Sequence, residues 1–293
     1  MPIIYGTNAS DIIEGSWQAD DIYGYWASDT LYGNGGADNL YGGRGNDHLE
    51  GGYGHDYLFG DRGADLASYR DDPTADGVTV NLVTGTATDG WGTRDKLFSI
   101  EDIAGSWGDD NLIGNNVRNV ITGLGGDDLI RGNGRGDTLD GARGDDDIYG
   151  NNGSDHLFGD RGNDLLSGNK GNDVIEGEGG RDTLYGGNGK DSLYGGAHRD
   201  TVNGGTGNDD MWGGSGNDRF VYNSFSGGRD DIHDFQNNTD TIEIDVSSGT
   251  TIDDIIARAD QDGADVTIDF GGGNVLTIED TKVSHLSNDL VLV

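Results

Sequence analysis

The stretch Gly186-Gly-Asn-Gly-Lys-Asp-Ser-Leu-Tyr194 is one of thirteen consecutive nine-residue blocks that run from Gly105 to Val221 without insertion or deletion. Every block opens with Gly and has a large apolar residue at position eight. Position six is Asp in twelve of the thirteen blocks, and the exception is Asn119. Because a strict short period is the signature of a repeat fold, it decides the architecture before any local propensity is weighed.

The two halves of a block favour different backbone conformations. Glycine at position one, often at two and usually at four permits positive φ, which predicts a tight turn over the first six residues. Positions seven to nine place one large apolar residue between two mostly polar ones, which predicts a three-residue strand with one inward side chain. Two blocks then form one coil of 18 residues. The position-eight side chains fill a thin core between two parallel sheets.

Residues 6–68 contain seven further blocks of the same kind. Each has Asp at position six, and position eight is Ile or Leu until the last block, where it is Ala67. The break between the two runs, residues 69–104, is 36 residues long, which is four times nine. It contains a block-like stretch, Gly90–Phe98, with Asp95 and Leu97 at positions six and eight. Two wider coils that continue the roll would have this length. The match to a multiple of nine is also consistent with coincidence.

Stacked coils bring the position-six carboxylates together at intervals of about 4.8 Å. Two such charges repel by ~1 kcal/mol in water and several-fold more at a lower dielectric. A cation between each pair removes the repulsion, and Ca²⁺, which takes six to eight oxygens in tolerant geometry, suits the site better than Mg²⁺. The candidate metal ligands are Asp11, Asp20, Asp29, Asp38, Asp47, Asp56, Asp65, Asp110, Asp128, Asp137, Asp146, Asp155, Asp164, Asp173, Asp182, Asp191, Asp200, Asp209 and Asp218.

The blocks resemble the RTX (repeats-in-toxin) nonapeptide, G-G-x-G-x-D-x-U-x with U large and apolar. The resemblance implies an all-β fold, a right-handed parallel β-roll with a C-terminal β-rich cap. It also implies that each ion is held by the position-six Asp of two adjacent same-side turns together with turn carbonyls. Seven and thirteen blocks leave five and eleven such gaps, so we expect roughly ten to sixteen Ca²⁺ ions.

Charge and composition restrict the partners. The formal net charge of −36 argues against nucleic acid as a partner, and about 16 calcium ions would nearly cancel it. Without calcium, self-repulsion and glycine entropy predict a largely unfolded chain. The sequence has no Cys, no apolar transmembrane run and no amino-terminal secretory signal. RTX proteins resemble substrates of type I secretion machinery, so we expect an extracellular protein with an uncleaved C-terminal signal.

We divide the chain into residues 1–68, a first repeat run; 69–104, an irregular roll-continuing segment; 105–221, the second run; and 222–293, a cap. In the cap, alternation predicts strands at 231–235, 241–244, 265–270 and 275–279, with a hairpin turn at 271–274. Thr250 with Asp253 predicts the start of a short helix that ends at Arg258. Asp231, Asp234 and Asp240 are candidates for one further ion.

The cap resembles the C-terminal caps of RTX regions in serralysin-type proteases and mannuronan epimerase R-modules. Its tail, Asp289-Leu-Val-Leu-Val293, looks like a type I export terminus, and it is equally consistent with a last edge strand. No H-E-x-x-H zinc helix, G-x-S-x-G elbow or Cys nucleophile occurs in the sequence. We therefore expect no enzyme activity.

Position nine carries aromatic residues at 18-residue spacing: Tyr23, Tyr41 and Phe59 in one column and Tyr194 and Trp212 in another. They suit either a platform for sugar rings or cross-strand packing that stiffens the sheet. We expect a secreted, monomeric, calcium-binding structural exoprotein that folds on binding extracellular Ca²⁺. The first alternative is a calcium-dependent module that binds an acidic polysaccharide. The second is a membrane-interacting protein, which the lack of an amphipathic apolar segment disfavours, so stable membrane insertion is not expected.

Overall fold

The structure is a computed structural model that describes residues 1–72 and 76–293. Residues 73–75, within the predicted break at 69–104, lie outside the described part. The chain forms two compact units, Met1–Arg143 and Gly144–Val293, called here the amino-terminal and the carboxyl-terminal unit. The division falls inside the second repeat run, so the four segments drawn from the sequence stay a prediction.

The amino-terminal unit consists almost entirely of short strands, most of them three to six residues long. In chain order they are β1 (Ile3–Tyr5), β2 (Ile12–Glu14), β3 (Asp21–Trp26), β4 (Thr30–Tyr32), β5 (Gly35–Gly36), β6 (Asn39–Arg44), β7 (His48–Glu50), β8 (Tyr53–Gly54), β9 (Tyr57–Arg62), β10 (Leu66–Ser68), β11 (Thr79–Asn81), β12 (Thr86–Thr88), β13 (Arg94–Phe98), β14 (Asp102–Ala104), β15 (Asn111–Ile113), β16 (Val120–Thr122), β17 (Leu129–Gly134) and β18 (Thr138–Asp140).

Most of these strands alternate between two sheets, as a coil of two nine-residue blocks requires, and β5 and β8 pair with each other in a separate two-stranded sheet. The first sheet has the order β1-β3-β6-β9-β13-β12-β11-β15-β17, and the second has the order β2-β4-β7-β10-β14-β16-β18. Neighbours are parallel and lie 18 residues apart in the regular runs, for example Leu40 opposite Leu58. The predicted β-roll is therefore confirmed, with the predicted coil length.

The break at 69–104 continues the roll, but not as two wider coils. Strand β13 joins the first sheet in parallel, with Leu97 opposite Leu58, so the block-like stretch takes the place of a regular block. Strands β12 and β11 then add antiparallel neighbours before β11 pairs in parallel with β15. The second sheet gains β14 alone from this segment in the described residues. The insertion thus adds antiparallel pairing to the first sheet, whereas the second sheet stays parallel through β14.

The carboxyl-terminal unit repeats the arrangement and ends in the cap. Its strands are β19 (Asp147–Asn152), β20 (His156–Phe158), β21 (Leu165–Lys170), β22 (Val174–Glu176), β23 (Thr183–Gly189), β24 (Ser192–Ala197), β25 (Thr201–Gly207), β26 (Asp210–Ser215), β27 (Arg219–Asn223), β28 (Arg229–Ile232), β29 (Thr241–Asp245), β30 (Ala259–Asp262), β31 (Asp265–Gly271), β32 (Asn274–Ile278) and β33 (Leu290–Leu292). Its sheets have the orders β19-β21-β23-β25-β27-β29-β33 and β20-β22-β24-β26-β28-β32-β31-β30.

The core of each unit is the single row of position-eight side chains that the period predicts. From Ile22 to Phe220 every one of them is fully buried, and only the first, Ile13, retains 8% exposure. Each coil adds one apolar side chain per sheet, which at ~25 cal/mol per Å² is too little to fix a free-standing coil. Stability must therefore come from stacking and from whatever neutralises the turns.

The cap forms the predicted strands at 241–244, 265–270 and 275–279 and the hairpin, with β31 and β32 antiparallel around 271–274. The strand predicted at 231–235 lies earlier, at Arg229–Ile232. The short helix α1 spans Ile252–Ile256. Its capping box uses Thr251 and Asp254, one residue later than the predicted Thr250 and Asp253. The tail forms β33 beside β29. Within the described residues, the chain contains no helix with the length and apolar character needed to cross a lipid bilayer.

Close stacking favours glycine at position four of the turns, although several blocks have another residue there, among them Ala9, Gln18, Ala27, Val117 and His198. A methyl group on Gly171, where φ is +141°, would lie 1.2 Å from the carbonyl oxygen of Gly153 in the preceding coil. Neither atom belongs to a side chain that could rotate away, so the coil spacing leaves no room for a Cβ. This contact explains why position four of this turn is glycine rather than another turn residue.

Candidate metal centre

The position-six aspartates lie at the junction of turn and strand, and they form a hydrogen-bonded ladder along each edge of the roll. Within the regular runs, from the third block on, these aspartates accept the backbone N–H of the equivalent residue 18 positions earlier. Examples are Asp173 N to Asp191 Oδ1 at 2.9 Å, Asp200 N to Asp218 Oδ1 at 2.9 Å, and Asp38 N to Asp56 Oδ1 at 2.8 Å. Asp110, which follows the insertion, accepts the N–H of Val78 instead. One carboxylate oxygen of each rung is therefore fixed by the backbone of its neighbour.

These carboxylates are withdrawn from water. Eighteen of the nineteen predicted ligands are buried, with exposures of 3% or less, and Asp11 in the first block is half-buried. In many of them the second oxygen is buried and accepts no hydrogen bond. These oxygens are Oδ2 of Asp29, Asp38, Asp47, Asp56, Asp65, Asp173, Asp182, Asp191, Asp200, Asp209 and Asp218, and Oδ1 of Asp20. A buried carboxylate oxygen without a donor is costly unless a cation faces it.

The electrostatics of the metal-free chain show this cost directly. Burial raises the pKa of Asp182 to about 8, and the charges of Asp164 and Asp200 raise it further against the hydrogen bond from the Asp164 amide. Burial likewise raises the pKa of Asp38, Asp173 and Asp218 to about 7. Without a counter-ion these groups would hold protons close to neutral pH.

In several repeats, the space beside the unpaired oxygen is lined by a second hard oxygen. A methyl group on Gly186 would lie 2.5 Å from Asp191 Oδ2 and 2.4 Å from the carbonyl oxygen of Gly204, one coil further on. On Gly24 it would lie 2.5 Å from Asp29 Oδ2 and 2.7 Å from the carbonyl oxygen of Gly42. Glycine at position one therefore keeps open a small space between a carboxylate and a carbonyl, the ligand types that Ca²⁺ takes.

Side chains alone do not complete a site. Within residues 1–72 and 76–293, no group of three or more His, Asp or Glu side chains is arranged to hold a metal ion. A bound ion would have to combine ladder carboxylates with turn carbonyls, as the resemblance implies. Ca²⁺ would supply the positive charge that the buried carboxylates lack, and the ladder aspartates with the position-one carbonyls would hold it.

Four acids outside the nineteen periodic aspartates also accept ladder hydrogen bonds, and one of them, Asp240, is a predicted candidate for a further ion in the cap. Asp95 accepts Asp56 N at 3.0 Å, and Glu101 accepts Asp65 N at 3.1 Å. In the cap, Asp230 accepts Asp209 N at 3.1 Å, and Asp240 accepts Asp218 N at 3.0 Å. Their spacings of 39, 36, 21 and 22 residues depart from the period of 18, which is why periodicity alone did not select them.

The structure separates the three acids proposed for a further ion in the cap. Asp240 is in the ladder, whereas Asp234 accepts the backbone N–H groups of Gly213 and Gly214, both at 2.8 Å. Asp231 lies in β28 opposite Asp210, and its neighbour Asp230 takes the ladder position. Burial raises the pKa of Asp230 to about 8, as it does for regular ladder members.

Asn119 shows how the ladder accommodates a neutral rung. Its N–H still donates to Asp137 Oδ1 at 2.8 Å, and its Oδ1 accepts Asn115 N. Its Nδ2 donates to the carbonyl oxygen of Glu101 at 2.6 Å. Because the amide group brings its own donor, this rung needs no counter-charge. The residue 18 positions before Asn119 is Glu101, which belongs to the insertion and stands where the regular rungs have an aspartate.

The sequence profile of the RTX calcium-binding nonapeptide repeat matches residues 3–31, 32–67, 104–134, 131–166, 158–193, 167–201, 185–220 and 194–227. The chain belongs to this family. The matches cover both repeat runs and stop near the start of the cap. The predicted RTX repeats are thereby confirmed, and with them calcium as the ion for which these turns are built. The likeness of the cap to those of proteases and epimerases stays a prediction.

Comparison with individual proteins adds little to the family assignment. No curated protein gives a significant match. Among solved structures, the RTX chain is similar to the extracellular lipase LipA from Serratia marcescens, with 16% sequence identity and a TM-score of 0.27. The alignment covers 100% of this chain and 40% of the lipase chain. At that score the likeness carries no argument about activity.

The raised pKa values predict how the metal-free RTX chain responds to acid. An Asp whose pKa is about 7 in the folded state and about 3.9 in the unfolded state binds its proton more tightly when folded. The free energy of unfolding then rises as pH falls from about 8 to about 4 and is lost as pH rises through the folded pKa. We expect metal-free protein to show more β circular dichroism at pH 5.5 than at pH 8.

The measurement requires protein freed of metal by dialysis, since chelators themselves lose affinity in acid. It should stay above the isoelectric point of about 4.1 to avoid precipitation. In calcium the order reverses, because protons compete with Ca²⁺ for the same carboxylates. Equal spectra of the metal-free chain at both pH values would contradict the assignment of these buried groups.

Proposed function

We propose that the protein is a secreted, non-enzymatic RTX protein whose β-roll forms when it meets extracellular calcium. The observation that carries the proposal is the row of buried aspartate oxygens that accept no hydrogen bond. A chain could not retain such a row in a stable fold unless a cation were part of that fold. Calcium binding and folding are then one event, as in other small metal-dependent domains.

The net charge supports a large number of ions. The chain carries −36, and the same-side gaps in the two repeat runs number five and eleven. Roughly ten to sixteen Ca²⁺ ions would offset most of that charge. The acids at Asp95, Asp230 and Asp240 extend the same ladder past the regular repeats. They are the first places to look for ions beyond those that the period predicts.

Secretion through type I machinery fits the tail. Leu290–Leu292 forms a strand against Thr241–Asp245, and Leu290 retains only 4% exposure. Asp289 accepts the N–H of Asn238 through Oδ2. The part of a recognition signal that includes Asp289 and Leu290 is accessible only before the cap folds, which agrees with export of an unfolded chain into a calcium-rich medium. Extracellular localisation is part of this proposal.

A structural role agrees with how the acids are used. The ladder carboxylates bind backbone N–H groups at fixed spacing, and none of this geometry distinguishes one pair as acid and base. The thin core between the sheets is filled by position-eight side chains. In the described residues, the space between the sheets is therefore occupied by packed side chains, which agrees with a structural role. We therefore place the activity of the roll in calcium-gated folding.

The proposal is tested by counting metal on the intact chain. After equilibrium dialysis at millimolar calcium, elemental analysis should find on the order of ten to sixteen Ca²⁺ per chain. Magnesium at the same concentration should leave most sites empty, because it dehydrates reluctantly and demands octahedral geometry. Fewer than about four calcium ions per chain, or equal binding of both metals, would refute a calcium-built roll.

A further inference from the structure

An aromatic column runs along the outer face of the first sheet of the amino-terminal unit. Tyr23 stacks on Tyr41 with ring centroids 4.6 Å apart, and Tyr41 stacks on Phe59 at 4.7 Å, with planes within 7° of parallel. Tyr5 and Phe98 extend the column at its ends. The rings of the column cover one another's faces, which stiffens the sheet and removes those faces as a sugar platform.

A groove lies beside this column, and its floor is Gly43. In register across three strands, Gly43 stands between Tyr25 and Asp61. The missing side chain leaves an open depression of about 610 Å³. Tyr23 and Tyr41 border it on the column side. The φ of Gly43 is +105°, and a methyl group there would lie 2.3 Å from the carbonyl oxygen of Tyr25, so the floor cannot readily be filled by mutation.

The opposite wall of the groove is cationic. Arg44 and Arg62 are paired in register on neighbouring strands, and both side chains are exposed. In the described part of the chain neither forms an ion pair within 4 Å. The Arg44 guanidinium lies 4.9 Å above the ring of Trp26, which orients it beside the groove. The two guanidinium groups thus give this wall a local positive charge on a chain whose net charge is −36.

The column in the carboxyl-terminal unit lacks these features. Tyr194 stacks on Trp212, and Trp212 stacks on His233 with centroids 4.2 Å apart. His233 is paired with Asp210 at 3.1 Å and with Glu279 at 3.0 Å. Lys190 is also paired with Asp210. The polar groups beside this column are therefore satisfied within the protein, and the amino-terminal groove alone of the two offers unpaired charge.

We infer that the Gly43 groove binds an acidic oligosaccharide. Each guanidinium presents a planar fork that matches a carboxylate in bidentate geometry. The exposed rings of Tyr25 and Trp26 offer apolar contact to sugar carbons, and the Asp61 carboxylate accepts hydroxyl hydrogens. Asp61 also disfavours a ligand with charge as dense as a nucleic acid. A chain of uronate sugars, with one carboxylate and several hydroxyls per ring, meets all of these groups.

Isothermal titration of the calcium-loaded full-length protein with a short oligouronate tests the inference. We expect a dissociation constant below about 1 mM. The double variant Arg44→Ala/Arg62→Ala should bind at least about tenfold more weakly, because it loses the charge-assisted hydrogen bonds. A neutral oligosaccharide of the same length should also bind at least about tenfold more weakly to the wild type.

Arg143→Ala/Arg161→Ala is the matched control, since these arginines occupy the same position-three sites elsewhere in the repeats and are also exposed. This variant should bind the oligouronate like the wild type. Unchanged binding by the Arg44/Arg62 variant, equal binding of the neutral sugar, tighter binding of a single-stranded oligonucleotide, or no binding at about 1 mM would each overturn the inference. Failure here leaves the calcium count intact, so the two proposals are judged separately.

Discussion

Removal of calcium should convert the protein from a β-roll to a disordered coil. The ladder stacks carboxylates about 4.8 Å apart in buried turns. At that spacing each pair repels by ~1 kcal/mol in water and by several-fold more where water is excluded. The opposing apolar burial is only one side chain per block, and glycine makes up 56 of 293 residues, so chain entropy is high. Basic turn residues such as Arg143 and Arg161 are exposed, so they do not offset the charge of the buried carboxylates.

Circular dichroism and size-exclusion chromatography during chelation at neutral pH measure the change. We expect loss of the β spectrum and a large increase in hydrodynamic radius, with full recovery when calcium is restored. Sodium chloride at about 1 M, which shortens the screening length to ~3 Å, should not replace calcium, because screening does not coordinate buried oxygens. A compact, ordered chain in excess chelator at pH 7.5 would disprove the metal-dependent fold.

Asp182→Asn should have opposite effects in the presence and absence of calcium. The new amide can still accept the N–H of Asp164 through Oδ1, but an NH₂ group replaces the oxygen that faces the proposed ion. With calcium, the loss of one carboxylate should lower the free energy of unfolding by about 3–5 kcal/mol, because its ionic partners stay buried. Without calcium, the variant should be more ordered than the wild type, since a buried charge is gone.

Urea unfolding in saturating calcium and circular dichroism in chelator give the two readouts. Asp260→Asn is the matched control, because it removes the same charge from an exposed position on a cap strand. It should change the free energy of unfolding in calcium by no more than about 0.5 kcal/mol. It should leave the circular dichroism spectrum in chelator unchanged. If Asp182→Asn behaves like this control in calcium, the ladder carboxylates are not ligands. If it loses order in chelator, they are held by something other than a cation.

The fold follows from the sequence wherever the period holds. Gly at positions one and four and the apolar residue at position eight each meet a constraint that recurs in every coil, so one block predicts the rest. Positions such as Leu184 and Leu193 could thus be placed in the core from spacing alone. The period also predicted which side of the coil carries Asp191 and its equivalents.

The period did not identify the ladder acids whose sequence spacing differs from 18, although their hydrogen-bond geometry is the same. Asp230 and Asp240 stand 21 and 22 residues after the amides that they accept, because cap loops lengthen the path between equivalent points. Asp95 is separated from Asp56 by 39 residues because part of the inserted segment 69–104 lies between them. The groove also escaped prediction, since Arg44 and Trp26 belong to different coils, and only their stacking shows that they share one wall.

The ladder hydrogen bonds, from aspartate amides to aspartate carboxylates, run one way, and this gives the carboxyl-terminal unit a polarity. Each ladder amide donates to the coil that follows, so trimming coils from the amino side leaves every surviving ladder amide its carboxylate acceptor. Trimming from the carboxyl side would remove Asp230 and Asp240. It would leave the N–H groups of Asp209 and Asp218 buried without a hydrogen-bond acceptor. Shortened or extended versions of this roll should therefore be built by adding or deleting coils at the amino side, with the natural cap retained as the terminator.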